Sequence, residues 1–385
     1  MRPARLAAAL LLPCLLGLLF GPATGPAADD DPGAVARAEQ WQLDALRVSD
    51  AWRITEGEGV LVAVLDTGVR ASHPDLRGSV VQGPDLTGAV RTAGRWGQHG
   101  TAMASLIAGH GHAARDGSGD GVLGVAPAAE VLSVRVTLEN SDPLRNRRRA
   151  GGHDALARGI RYAVDRGAQV ISMSLGGGSG SWEGSAAEEE AVQYAVLHGV
   201  VLVASSGNDG HTTNRKNFPA AYPGVIAVGA VDRTLRPARF SNRQDYLSVV
   251  APGVDIVTAA GAADYVVGDG TSSAAAMVAG IAALIRSAYP ELSPYHVRRA
   301  IERGTRRRPQ GGYSTAYGHG VANAALALRE AERLAGPTQA PPLPAEHFGD
   351  PRPGPAPVSR ALVIAALITL ALTLSARILL RRNRR

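Results

Sequence analysis

Short apolar runs alternate along the chain with longer stretches in which apolar residues recur every three or four positions. Val60-Leu61-Val62-Ala63-Val64-Leu65 is a continuous β-branched and aliphatic run, the pattern of a strand buried on both faces. Val131 to Val136, Val170 to Met173, Val200 to Ala204 and Val225 to Val228 have the same character. Between them, His153 to Arg166 sets Leu156, Ile160, Ala163 and Val164 on one helical face. Ala187 to His198 and Ala274 to Tyr289 read as further helices. Strand, helix and strand in succession predict an α/β domain with three layers, a mostly parallel central sheet flanked by helices. In such a sheet, functional groups are expected at the carboxyl ends of the strands and in the helices that follow.

The two ends of the chain have another pattern. Met1-Arg2-Pro3-Ala4-Arg5 precedes an apolar run from Leu6 to Phe20, then small residues and Asp29-Asp30-Asp31. A positive start, an apolar middle and a small-residue exit predict a signal peptide over 1–28. Near the other end, Ala361 to Ala376 carries no charge, and Arg377-Ile378-Leu379-Leu380 extends the run to the length of a spanning helix. The arginines of 381–385 favour the cytoplasmic side. A linker over 336–359 holds eight prolines and is expected to be extended. The organisation expected is a signal over 1–28, an N-terminal extension over 29–40 and a folded domain over 41–335. The linker, one C-terminal transmembrane helix over 360–380 and a basic tail over 381–385 follow. This puts the protein in the cell membrane by a single pass, with the domain extracytoplasmic.

Composition removes several alternatives. Cys14 is the one cysteine, so neither an intramolecular disulfide nor a cysteine-rich metal site can form. The net charge of +6 suggests nucleic acid until its location is considered. Arg2, Arg5, Arg377, Arg381, Arg382, Arg384 and Arg385 sit at the extremities, and setting them aside leaves 33 basic residues against 34 acidic ones. No nucleic-acid partner is therefore expected. Lys216 is the one lysine, a bias towards arginine that suggests a GC-rich genome.

Three residues carry candidate chemistry. Asp66 ends the first apolar run, in Asp66-Thr67-Gly68. An aspartic-protease reading needs a second such carboxylate motif, and the chain has none. His99 heads His99-Gly100-Thr101-Ala102-Met103-Ala104, and Ser272 lies in Gly270-Thr271-Ser272-Ser273-Ala274-Ala275. Taken singly, each has a bland explanation: a turn former, a structural histidine, a serine N-cap. Taken together in the order Asp, His, Ser, they suit nucleophilic catalysis, because a serine hydroxyl needs a base and the base needs an orienting carboxylate.

These blocks resemble the subtilisin-like serine proteases, or subtilases (peptidase family S8). The likeness extends to Gly121-Val122-Leu123-Gly124-Val125-Ala126-Pro127, Ser174-Leu175-Gly176-Gly177 and Ala204-Ser205-Ser206-Gly207-Asn208-Asp209, and runs from about Trp41 to Leu334. It implies a subtilisin-like fold and a serine endopeptidase with catalytic Asp66, His99 and Ser272. It also implies an oxyanion hole made by the Asn208 side chain and the Ser272 backbone N–H, and a substrate cleft lined by Ser174, Leu175, Gly176 and Gly177. No cofactor is required for that chemistry. Asp75 and Asp120 are the candidate ligands for a structural calcium, as in some subtilases. Ala276 and Met277 depart from the Pro and His usual in the family.

The signal, short extension, peptidase domain, Pro-rich linker and C-terminal helix together resemble the mycosins, membrane-anchored subtilases of actinobacterial type VII secretion. Their disulfides cannot form here. That resemblance implies extracytoplasmic protein or peptide substrates and a secretion-system membrane complex as partner. A competing expectation is a scaffold of such a complex whose proteolysis is dispensable. Three signals are set aside. Gly119-Asp120-Gly121-Val122-Leu123-Gly124 precedes a strand where a dinucleotide loop should follow one. His110-Gly111-His112 and Arg145-Asn146-Arg147-Arg148-Arg149 read as solvated loops.

Overall fold

The computed structural model describes residues 31–89, 96–113, 119–145, 152–176 and 184–336, with backbone alone for 152–154. The expected signal peptide, linker, spanning helix and basic tail, together with Gly177 and Asn146 to Arg149, lie outside the described residues.

Three short helices open the body: α1 (Pro32–Ala38), α2 (Trp41–Leu46) and α3 (Val48–Ala51). β1 (Leu61–Asp66), β2 (Val80–Asp85), α4 (Gln98–Ala108) and the strands β3 (His110–Ala113) and β4 (Gly119–Leu123) follow. Next come β5 (Glu130–Arg135), α5 (Gly152–Asp165), β6 (Val170–Met173), α6 (Ala186–Leu197), β7 (Val201–Ser205) and β8 (Val225–Val231). β9 (Leu247–Pro252), β10 (Ile256–Ala260), β11 (Asp264–Gly268), α7 (Thr271–Ala288) and α8 (Pro294–Arg303) succeed them. β12 (Thr305–Arg306), β13 (Val321–Ala322) and α9 (Ala324–Ala335) complete the body.

Among the described residues, nine strands form one sheet in the order β12-β13-β9-β8-β7-β6-β1-β5-β2. Every pairing in it is parallel except β12 with β13. β1 lies between β5 and β6, where the chain reverses its direction of travel across the sheet. That reversal opens a crevice at the carboxyl ends of the strands, and Asp66 stands at its lip.

Period-two alternation divides the core between the two faces. Val62 and Val64 of β1, with Val201 and Val203 of β7, pack with α4 and α7 in one apolar cluster. Ala63 and Leu65, with Leu202 and Ala204, pack with α5 and α6 in the other. The strands and helices expected from periodicity thus appear in place, each within about three residues of its expected ends. β9 and the β10–β11 and β3–β4 hairpins were not among the expected strands.

α7 is the helix on which one layer is built. Ala274 through Ile285 are all buried. Small side chains let it pass close to its neighbours; a Cβ on Gly280 would stand 2.6 Å from Val125 Cβ. Among the described residues α7 is the one helix long and apolar enough to cross a membrane, and 83% of it is buried within the protein body. Its apolarity is that of a core helix.

The N-terminal extension belongs to this body. Arg37 of α1 donates to the carbonyls of Gly121 (2.6 Å) and Asp120 (2.8 Å) on β4. Gln40 pairs with the backbone of Leu123 in both directions, each bond 2.8 Å. Bonds of this kind contribute about 1 kcal/mol each.

α4 approaches the Asp66-Thr67-Gly68 turn so closely that position 100 must be glycine. A Cβ there collides with the Gly68 carbonyl oxygen and comes within 3.2 Å of Gly68 N, backbone that cannot swing aside. Gly100→Ala is therefore expected to cost about 1–3 kcal/mol of stability by overpacking. Urea unfolding of the variant checks this, and an unchanged midpoint contradicts it.

Candidate active site

Asp66 is the last residue of β1, and 1% of its side chain is exposed. A carboxylate so buried needs donors. It receives the Thr67 N–H at 2.7 Å on Oδ1, and His99 Nδ1 lies 2.8 and 2.9 Å from its two oxygens. The His99–Asp66 bond fixes the imidazole tautomer, with the proton on Nδ1 and Nε2 left to face the crevice. His99 sits in the first turn of α4. The turn and the helix are joined twice more: Gly100 N–H donates to Thr67 Oγ1 (3.0 Å), and Arg70 N–H donates to Thr101 Oγ1 (2.9 Å).

Ser272 lies in the first turn of α7. It is not the N-cap: that position is Gly270, which has no side chain to offer. The Ser272 hydroxyl is therefore not used on its own helix. It donates to the Ser174 carbonyl at 3.5 Å, while Ser174 Oγ donates to the Ser272 carbonyl at 2.9 Å. Ser174 follows β6 directly, so this pair ties the start of α7 to a strand end. Asp66, His99 and Ser272 all line one cavity of about 380 Å³. Among the described residues no hydrogen bond joins Ser272 Oγ to His99 Nε2, a gap common in ligand-free sites.

Asn208 lies beyond the end of β7 and borders the same cavity. Its Oδ1 accepts both the N–H and the hydroxyl of Thr271, each at 2.9 Å. Because a backbone N–H can only donate, the oxygen must face Thr271 and the amide nitrogen must face away. A Cβ built on Gly270 lies 3.7 Å from Asn208 Nδ2 and 3.6 Å from Ser272 N, so the two donors border one gap. Ser174, Leu175 and Gly176 line the same cavity, with Gly176 at φ +119°. Gly177 lies outside the described residues.

The structure brings in a residue that sequence reasoning passed over. Glu139 is 5% exposed and lines this cavity as well as a second one of about 470 Å³ that His99 also borders. No motif marks it; the signal available was a lone acid shortly after a strand. Burial disfavours the His99 imidazolium, but the Asp66 charge and hydrogen bond override burial, and Glu139 adds to them against Arg145. The net effect raises the His99 pKa above its ordinary value.

The expected calcium candidates stand elsewhere, beneath α1. Asp75 is fully buried; its Oδ1 lies 2.6 Å from His112 Nδ1, and its Oδ2 accepts the Val122 N–H at 2.9 Å. His110-Gly111-His112 is thus strand β3 and not a loop, with His112 held by Asp75. Asp120, on β4, gives its carbonyl to Arg37. Among the described residues, no group of three or more His, Cys, Asp or Glu is placed to hold a metal ion.

A buried Asp–His pair beside a helix-borne serine, at the switch point of a doubly wound parallel sheet, defines the class of serine hydrolases with an Asp, His, Ser order. Comparison with known proteins is narrower. The subtilase family profile matches residues 57–320, and the chain belongs to that family of serine proteases. Thermitase of Thermoactinomyces vulgaris is 38% identical over 265 residues, covering 69% of this chain and 88% of thermitase. Fervidolysin of Fervidobacterium pennivorans is 35% identical over 329 residues, covering 78% of this chain, which spans only 45% of fervidolysin. Among solved structures, the MycP3 protease of the type VII (ESX-3) secretion system superposes with a TM-score of 0.65 at 30% identity. That likeness covers 78% of this chain and 90% of MycP3.

A proton that binds His99 more tightly in the fold than in the open chain adds stability below the ordinary histidine pKa. The gain is lost as pH rises through the raised value. Asp66→Asn removes the main cause, so its His99 ring protons are expected to titrate at lower pH by NMR, and the stability advantage of the parent at acid pH to shrink. An unmoved titration would contradict the assignment of Asp66 as the controlling charge.

Proposed function

We propose that this chain is a membrane-anchored, extracytoplasmic serine endopeptidase of the mycosin kind, with Asp66, His99 and Ser272 as its triad. The observation that carries the reading is the hold of buried Asp66 on His99 in a cavity shared with Ser272 and the Asn208 amide.

The chemistry follows from that arrangement. The Ser272 side chain turns from the Ser174 carbonyl towards His99, and Oγ attacks the carbonyl carbon of a peptide bond. His99 Nε2 takes the hydroxyl proton as the O–C bond forms. Asp66 keeps the Nδ1 proton in place and stabilises the imidazolium. Negative charge collects on the former carbonyl oxygen. The Asn208 Nδ2–H and Ser272 N–H are its donors, and the first turn of α7 adds a favourable dipole. Collapse breaks the C–N bond, His99 gives its proton to the leaving amine, and an acyl-enzyme remains. Water then enters by the same steps in reverse roles and frees Ser272. Because the oxygen of Asn208 is already committed to Thr271, its donor is set before substrate arrives. The backbone of Ser174 to Gly176, with Gly177 beyond it, is suited to pair with an extended substrate as an added strand.

The likeness to MycP3 supports a place in a type VII secretion complex, with extracytoplasmic proteins or peptides as substrates. A solved relative described as an essential component of such a system also favours the scaffold role as a second reading. Full rescue of secretion in a deletion strain by Ser272→Ala would favour the scaffold, and loss of secretion the protease.

The direct test is a fluorophosphonate at pH 7–8. Labelling is expected on Ser272 of the parent and not on Ser272→Ala, and a folded parent that does not label contradicts the reading. Asn208→Ala should lower kcat by about 10²–10³, the magnitude known for the equivalent loss in subtilisin itself, with KM far less affected.

A further inference from the structure

α4 begins with a deficit. A helix leaves its first N–H groups without partners, and the N-cap residue here is Gly97, at φ +72°, which has no side chain to offer. The partner comes from a distant part of the chain. Glu139 Oε1 accepts the Gln98 N–H at 2.7 Å and the His99 N–H at 3.3 Å. It can reach because β5 runs beside β1 with Arg135 opposite Asp66, so the chain leaving β5 passes over the start of α4.

We propose that Glu139 is a positioning residue for His99: its carboxylate caps the turn that carries the imidazole and sets a second negative charge beside it. The inference rests on the proposed role of His99 as the base. Two independent features of the site support it. First, Glu139 is buried and borders the same two cavities as His99, so its charge is little screened by solvent. Second, the bond it makes is to the backbone of His99 itself, so losing it frees the residue whose Nε2 must meet the Ser272 proton. The other charges about His99 are Asp66 at the end of β1 and Arg145 beyond Glu139. Asp209 and Asp269 line one cavity each. Arg145 opposes the acids, and Glu139 with Asp66 outweighs it. As His99 accepts the Ser272 proton, an imidazolium forms with Asp66 on its ring and Glu139 on its backbone N–H, and the Glu139 charge lowers the free energy of that state relative to neutral imidazole.

E139Q keeps an oxygen acceptor for α4 but removes the charge; E139A removes both. The full-length chain is used with Ser272→Ala, selectively labelled at histidine, with His99 assigned by comparison with His99→Gln. The His99 ring titration is expected to move to lower pH in E139Q. In the active chain, the acid limb of kcat/KM on a peptide substrate should move in the same direction. E139A should in addition lose on the order of tenfold in kcat, with a smaller change in KM, as the base loses its fixed position. A His99 titration unmoved in E139Q overturns the inference. If E139A does not fold, the isosteric E139Q still decides it. Failure of the parent to label or cleave sinks the protease reading alone, because the NMR titration needs no turnover.

Discussion

A carboxylate buried at the end of the central strand must be satisfied, and the site is organised around that requirement. Asp66 has water on none of its sides to speak of, so each partner is structural and each is used twice. Thr67 N–H holds Oδ1, and the Thr67 hydroxyl then holds the start of α4. His99 supplies the Nδ1 proton that Asp66 needs, and is thereby fixed in tautomer and direction. Gly100 is the steric side of the same arrangement, since a Cβ there would collide with the Gly68 backbone, while a Cβ on Gly68 would stand 2.7 Å from the Trp96 ring just before the helix.

The second half of the site is held by a different device. α7 is anchored through small residues to both neighbouring strand ends, by Ser174 on one side and by Thr271 with Asn208 on the other. Thr271 accepts from Gly207 and donates to Asn208, so one hydroxyl fixes both the turn and the amide. A donor fixed by bonds of its own needs no reorganisation when charge develops, which is where such a site gains its rate. The deep burial of α7 serves this end: a helix locked in the core cannot move Ser272 relative to β6 and β7.

Away from the cleft, the same economy recurs beneath the N-terminal extension. Asp75 is another buried carboxylate at the edge of the body, and it too is met by a histidine and a backbone N–H. His73 accepts the Asp75 N–H on Nδ1 and donates from Nε2 to the Asp264 carbonyl, which fixes its tautomer. Burial holds His73 below the ordinary histidine range despite its acidic neighbours, so it stays neutral there. α1 lies over this cluster and lines neither cavity beside His99. Among the described residues of the extension, 31–40, none borders either cavity beside His99.

Local pattern was enough for five of the nine strands of the sheet, for α5, α6 and α7, and for the three residues that share one cavity. Those five strands are almost wholly buried and read as aliphatic, largely β-branched runs, and the motifs sit at strand ends and helix starts, where backbone geometry leaves few alternatives. Asn208 was legible only through the resemblance of Ala204 to Asp209 to a subtilase segment. Short-range pattern could not supply pairings between distant segments. That Glu139 caps α4, that His112 holds Asp75, and that Arg37 and Gln40 bind β4 depend on which strand ends the topology places side by side. Periodicity carries no record of such meetings, because one hydrogen bond across about 80 residues leaves no repeating mark on either segment. Ser272 shows the division within a single residue. The sequence placed it at the start of a helix, but the structure gives the cap position to Gly270 and leaves the Ser272 hydroxyl to meet the Ser174 carbonyl after β6, at the cavity's edge.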